Sequence, residues 1–384
     1  MDKPLVSMIV LEYNNFQYIF ECLDSIIAQD YPNIELIING DGGEKFDEIA
    51  LINYLYENKS ANIKKTQINN NEVNIGTVRC CNQCVKISSG KYYMLIAADD
   101  VLYDSSTLST YVNFYESVPE NSALAIGRVI MMDIELKKIL EKSPSDKDEK
   151  LMYSLDSKGL FNVKVQRFFF PMIGMMPRSY YDMYNGYDEE YKLIEDVPFY
   201  TKALCRGTKI HYLGIPTYTH RDGGISHGNK RNTSKTYQIY VEDSIKVFEK
   251  EYLPNTDLLT PKAKRVLESR YTHLKNTYTF NKKSIIGKIV SIPFNLWILK
   301  HLILKIGATV SMRSTGIKLL LLSILCFVLY YWKEIVEHPI GTVIQIIIGC
   351  IGLAVLGLFA LLFCIKLALL IIRWLLRKIQ HDDE

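Results

Sequence analysis

Several familiar classes are excluded by what this sequence lacks. It has eight cysteines, but none falls at a disulfide-framework spacing. A small stapled secreted domain is thereby excluded, and reduced thiols in a cytoplasmic body are expected. Cys80, Cys81 and Cys84 cluster, yet no second half of a zinc site follows, so they read as small buried side chains. No apolar leader precedes the first strand: Met1 to Pro4 runs straight into Val6–Leu11, and no signal peptide is expected. No Gly-rich, Lys-containing phosphate loop follows that strand, which argues against a nucleotidyltransferase. The body carries no basic stripe and no nucleic-acid motif, so nucleic acid is not expected as a partner. There is no internal repeat.

What is present is a long chain with a divided character. Its 384 residues, 48% of them hydrophobic, suffice for one large α/β domain plus an appendage. Residues 281–384 hold 12 Lys and Arg against 5 Asp and Glu, a net of +7; the whole chain is +3, which leaves −4 for the first 280. A basic, apolar tail behind a mildly acidic body points to an anionic membrane surface. Leu319–Trp332 and Ile340–Ile365 are continuous apolar runs, and a bilayer core takes about 20 helical residues. The expectation is a transmembrane hairpin at about 316–332 and 340–365, with Lys318 snorkelling. Lys300, Lys305 and Arg313 precede it, and Arg373, Arg377 and Lys378 follow. Positive charge stays inside, so both ends and the body are expected on the cytoplasmic side of a cell inner membrane, as a multi-pass protein. Ser284–Lys305 mixes Trp, Phe and Ile with Lys, as an interfacial segment does.

The first hundred residues alternate strand and helix. Leu5–Leu11 and Ile34–Ile38 read as buried strands, Asn62–Ile68 as a weaker one and Tyr92–Ala97 as a fourth. Between them, Tyr18–Ile27, Phe46–Tyr56 and Val78–Ile87 repeat apolar residues at helical spacing. Such alternation implies βαβ units, a mainly parallel sheet and a ligand site beyond the C-terminal strand ends. Ala123–Met132 reads as a further strand, and Ser143–Lys150 as a charged mobile loop. A helix is expected from Glu195-Asp196 to Cys205, stopped by Gly207. Two polar helices are expected over 233–280, the second from Pro261.

Four acidic or imidazole features fall where such a sheet would present them. Asp41 follows the second strand, Asp99-Asp100 the fourth, Glu195-Asp196 opens a helix, and His220 sits in Thr219–Gly224. One such pair alone would be a surface turn. Together they suit Mg²⁺ or Mn²⁺ beside a diphosphate, plus a separate carboxylate to take a proton from an attacking hydroxyl.

Val6–Asn15, Glu21–Ile26 and Tyr31–Glu35, followed by Asn74-Ile75-Gly76, Asn82 and Gly90-Lys91-Tyr92, resemble the family 2 glycosyltransferases over roughly residues 4–225. The resemblance implies the GT-A fold, an inverting single displacement and a nucleotide-sugar donor, with a UDP-sugar favoured. Glu12-Tyr13-Asn14 stands where the family has Thr-Tyr-Asn near the base, and Asp41 would contact the uracil or ribose. Gly40 replaces the first Asp of the usual Asp-Asp-Gly-Ser, which weakens the uridine assignment. Ala97-Ala98-Asp99-Asp100 replaces Asp-X-Asp-Asp; Asp99 and Asp100 would hold ribose and metal, with the two roles unassigned. By the same resemblance Asp196 is the base and Glu195 positions the acceptor or helix. His220 is a third metal ligand or a loop hydrogen-bonding group. Glu195 equally suits the positive end of a helix. Lys202 and Arg79 read as solvated helix charges. The Gln-X-X-Arg-Trp element of processive synthases is absent after Asp196, which favours one-sugar transfer.

The expected organisation is a GT-A domain over 1–230, a helical extension and interfacial segment over 231–310 and a membrane anchor over 311–384. The expected acceptor is a hydroxyl of a lipid-linked or surface-polysaccharide precursor. Two alternatives compete: a polyprenyl-phosphate glycosyltransferase, and a non-catalytic membrane scaffold or sugar-binding module on a decayed transferase fold. Oligomeric state is not legible.

Overall fold

The computed structural model describes residues 3–58, 60–166, 174–223 and 235–282. The strands are β1 (Val6–Glu12), β2 (Ile34–Gly40), β3 (Ile63–Asn70), β4 (Tyr92–Ala97), β5 (Val101–Leu102), β6 (Ala123–Met132), β7 (Ile139–Ser143), β8 (Met176–Pro177) and β9 (Lys209–Arg221). The helices are α1 (Ile19–Ile27), α2 (Glu48–Asn58), α3 (Thr77–Ile87), α4 (Thr107–Ser117), α5 (Glu149–Ser154), α6 (Ser157–Gln166), α7 (Arg178–Met183), α8 (Asp196–Cys205), α9 (Lys235–Lys246) and α10 (Pro261–Lys282).

Burial pattern explains the first sheet. Every residue of β2 is buried and β1 is nearly so, as expected of parallel strands covered on both faces. On α1, Ile19, Cys22, Leu23 and Ile26 recur at helical spacing and are all fully buried against that sheet. The strand order is β3-β2-β1-β4-β8, with the first four parallel and β8 antiparallel. Register pairs Glu12 with Gly40 and Leu11 with Ala97, so β1, β2 and β4 end at one rim.

A second sheet has the order β5-β9-β6-β7. Here β6 and β9 are parallel, while β5 and β7 are antiparallel edges. This corrects the expectation of one mainly parallel sheet: the α/β architecture is built from two mixed sheets. The long β9 contains two register shifts against β6, which carry its C-terminal residues to the first rim. Val101 pairs with Thr219 there, so His220 arrives beside Asp100.

The charged stretch 143–150 runs from the end of β7 through a turn into α5. Ser145 and Asp148 exchange hydrogen bonds in a turn, and Glu149 opens α5. Two buried clusters fill the space between sheets and helices, one on α3, α6, α8 and the Tyr-rich 180–200 region, the other on α1, β2 and α4. The chain divides into two units, Met1–Leu274, which holds both sheets, and Lys275–Glu384. Among the described residues no helix is long and apolar enough to cross a membrane. The apolar runs expected at 316–332 and 340–365 lie outside the described residues.

Candidate active site at the sheet rim

The rim brings together Asp99, Asp100 and His220. Asp100 is buried and its carboxylate takes three donors. Tyr218 Oη donates to Oδ2 at 2.9 Å, and Arg221 backbone N–H to Oδ1 at 2.9 Å. His220 Nδ1 lies 3.0 Å from Oδ2. Asp99 has more lone pairs to spare: among the described residues its carboxylate accepts only from Asn15 Nδ2, at 2.7 Å. Burial raises the Asp99 pKa, and the neighbouring Asp100 charge adds to the rise. Burial pulls the His220 imidazole down, but Asp100, with Asp99 and Asp222, outweighs it and raises its pKa.

Arg221 locks this corner. Its Nε donates to the Asp99 carbonyl at 2.8 Å, its other nitrogens reach Ile134 O and Glu21, and its guanidinium stacks 4.3 Å from the Tyr18 ring centroid. Nothing in the sequence alone distinguished this arginine from a surface charge.

These residues fit a divalent cation. Two carboxylates and an imidazole form a hard, net-negative donor set that suits Mn²⁺. In this structure His220 Nδ1 and Asp100 Oδ2 hydrogen-bond to each other at 3.0 Å, so an ion would have to replace that contact. Among the described residues no three such side chains form a ready cage. An ion here would complete its shell from phosphate oxygens and water, as Mg²⁺ and Mn²⁺ commonly do.

Asp41 lies next along the rim, buried after β2. Its carboxylate is engaged by the chain itself, where the resemblance implied a contact to the nucleotide. Oδ1 accepts from Asn71 Nδ2 at 2.8 Å and Ile75 N–H at 3.0 Å, and Oδ2 from Gly76 N–H at 3.0 Å. Asp41 therefore shapes the loop entering α3. Glu12 links the two groups: its carbonyl accepts from Asp41 N–H, and its carboxylate accepts from Asn15 N–H. Tyr13, beside it, exposes 46% of its surface at the mouth of this loop cluster.

Glu195 and Asp196 stand at the start of α8 as expected, outside the direct Asp99–Asp100–His220 network. Burial raises the pKa of both. The Asp196 charge adds to the rise at Glu195, while the Lys164 ammonium opposes it at Asp196. Lys164 is a residue the sequence reading missed. It lies on the apolar stripe of α6 with Leu160, Phe161 and Val165, is buried, and is pulled down to about 8 by desolvation against the attraction of Asp196. A lysine interrupting an apolar helical face was the available signal. Lys202 is paired with Asp188 at 3.6 Å, and Arg79 with Glu189 at 3.6 Å. A cleft of about 610 Å³ beside Tyr92, Glu116 and Arg178 opens at the N-terminal end of β4 and holds none of these residues.

The model of glycosyl transferase family 2 matches residues 7–173. An uncharacterized glycosyltransferase of Haemophilus influenzae is 38% identical over 98 residues, covering 26% of this chain and 29% of that protein. The uncharacterized glycosyltransferase EpsJ of Bacillus subtilis is 25% identical over 232 residues, covering 57% and 61%. The chain thus spans less than two thirds of the length of these curated relatives. A mannosyltransferase from Pyrobaculum calidifontis, solved in complex with GDP-Man and Mn²⁺, shares the fold with a TM-score of 0.50 at 14% identity, covering 82% of each chain. The family match thus covers the amino-terminal part of the chain and ends at residue 173, before the acid pair.

Proposed function

We propose that this protein is an inverting glycosyltransferase that moves one sugar from a nucleotide-sugar to an acceptor hydroxyl. The observation that carries the reading is the strand rim that gathers Asp99, Asp100 and His220 next to the Asp41-held loop, with Glu195–Asp196 opening α8 as a separate buried acid pair. A fold relative that binds GDP-Man and Mn²⁺ supports a nucleotide-sugar donor and a divalent cation.

In this reading the loop shaped by Asp41, with Tyr13 at its mouth, receives the nucleoside. Asp99, Asp100 and His220 would hold a divalent cation, which would supply charge neutralisation for the departing diphosphate. Asp196 accepts the acceptor's proton. Its raised pKa makes it a stronger base than an exposed carboxylate, and the Lys164 ammonium opposes part of that rise. Glu195 orients the acceptor or the start of α8. The hydroxyl oxygen then attacks the anomeric carbon as the bond to the diphosphate breaks, and configuration inverts. The basic, apolar carboxy-terminal sequence supports a lipid-linked or surface-polysaccharide acceptor at the cytoplasmic face of a membrane.

Thermal stabilisation by UDP-, GDP- and CMP-sugars, with and without Mn²⁺, tests the donor reading. Stabilisation by one nucleotide class that grows with Mn²⁺ is expected. A protein stabilised by none of them would be a scaffold on this fold instead.

A further inference from the structure

The segment leading into the acid pair is gripped by a helix that lies beyond the family match. Asp243 on α9 is fully buried. Its Oδ2 accepts from the backbone N–H groups of both Lys192 and Leu193, each at 2.7 Å. Its Oδ1 pairs with Lys246 Nζ at 3.2 Å. A buried carboxylate is costly unless fully compensated. Here the compensation comes from two backbone amides three and two residues before Glu195.

The same residue 192 is held from its other side. Its carbonyl accepts from Val78 N–H at 3.2 Å, at the start of α3. A Cβ on Gly76 would stand 3.1 Å from that carbonyl, so the bare glycine permits the approach. Gly76 N–H in turn donates to Asp41. One continuous path therefore runs Asp41, Gly76, Lys192, Asp243. The flanking residues are strapped to the same helical region. Tyr191 Oη donates to Glu251 at 3.0 Å, Lys246 Nζ to the Glu190 carbonyl at 2.6 Å, and Lys250 Nζ to Asp188 at 2.9 Å.

We propose that Asp243 is a positioning residue that sets the Glu195–Asp196 pair relative to the donor-side loop, through the backbone of Lys192 and Leu193. The proposal rests on the reading of that pair as acceptor-side machinery. The Lys192 side chain is exposed, so the link runs through its main chain, and substitution of Lys192 itself leaves it intact.

The test compares Asp243→Ala with Asp243→Asn in the full chain. Misplacing a catalytic group by about 1 Å costs about 100-fold in rate. Asp243→Ala is expected to lower kcat by about 10- to 100-fold with donor KM nearly unchanged. Asp243→Asn keeps an acceptor oxygen for the two amides and is expected to recover most of that loss. Carbon-13 NMR titration of the Glu195 and Asp196 carboxyls supplies a readout that needs no turnover: their midpoints shift in Asp243→Ala and return in Asp243→Asn. An unchanged kcat together with unchanged carboxyl titration overturns the proposal. So does a loss of thermal stability with kcat and KM altered in proportion. If the wild type turns over no nucleotide-sugar but the carboxyl midpoints still move, the enzymatic reading fails and the positioning stands.

Discussion

Removing Asp99 and removing Asp100 should have the same effect on activity and opposite effects on stability. Asp100 accepts three hydrogen bonds in a buried corner. A hydrogen bond to a charged group is worth about 1.5–3 kcal/mol, and water entering the gap restores part of it. Asp100→Ala should therefore destabilise by about 3–5 kcal/mol, the range for stranding the partners of a buried charge. Asp100→Asn keeps acceptor capacity and should cost about 1–2 kcal/mol. Asp99 differs because, among the described residues, its side chain accepts one hydrogen bond, from Asn15, and its charge is disfavoured by burial and by Asp100. The contact to Arg221 uses the Asp99 carbonyl, which any substitution keeps. Asp99→Asn should thus be neutral or stabilising by up to about 1 kcal/mol. In the proposed function both sites serve the diphosphate end, so each substitution should lower turnover by about 100-fold or more. Urea unfolding and nucleoside diphosphate release with Mn²⁺ measure the two effects. Equal destabilisation at both positions, or an Asp100→Ala cost under about 1 kcal/mol, would refute the assignment of roles.

Other expectations concern separate parts of the fold. Asp196→Asn should reduce transfer by about 10²- to 10⁴-fold while donor binding, followed by thermal shift, persists. Gly76→Ala should cost about 1–3 kcal/mol, because φ is +92° and the new methyl meets the Lys192 carbonyl; chemical denaturation measures it. Glu35 is fully buried, and although burial raises its pKa, Lys65, Ser7 and the Ser89 amide outweigh this and lower it. Its contribution is complete above the ordinary value of 4.5 and is lost as pH falls through the lower folded value. The stability gap between wild type and Glu35→Gln should therefore narrow on acidification below 4.5, in urea titrations at stepped pH.

The first half of the fold was legible because its strands and helices carry strong local periodicity. Tyr92–Ala97 and Ala123–Met132 appear with the bounds expected, and α8 opens at Asp196 as the acidic start and Gly207 stop implied. What was not legible came from long-range pairing. The sequence around β5 and β9 does not announce that Val101 will meet Thr219, yet this pairing brings His220 to Asp100. Asp41 read as a free carboxylate because its partners, the amides of Ile75 and Gly76, are backbone groups with no side-chain signature. The burial of Lys164 and Asp243 was not read from the sequence either. Their burial is set by helices that pack far along the chain.

The binding of UDP and GDP, measured by calorimetry with and without Mn²⁺, tests the rim most directly. In the wild type, Mn²⁺ should tighten one of the two by at least about tenfold, or about 1.4 kcal/mol, and His220→Ala should lose that increment while keeping the metal-free affinity. Equal affinity with and without Mn²⁺ in the wild type would contradict the account.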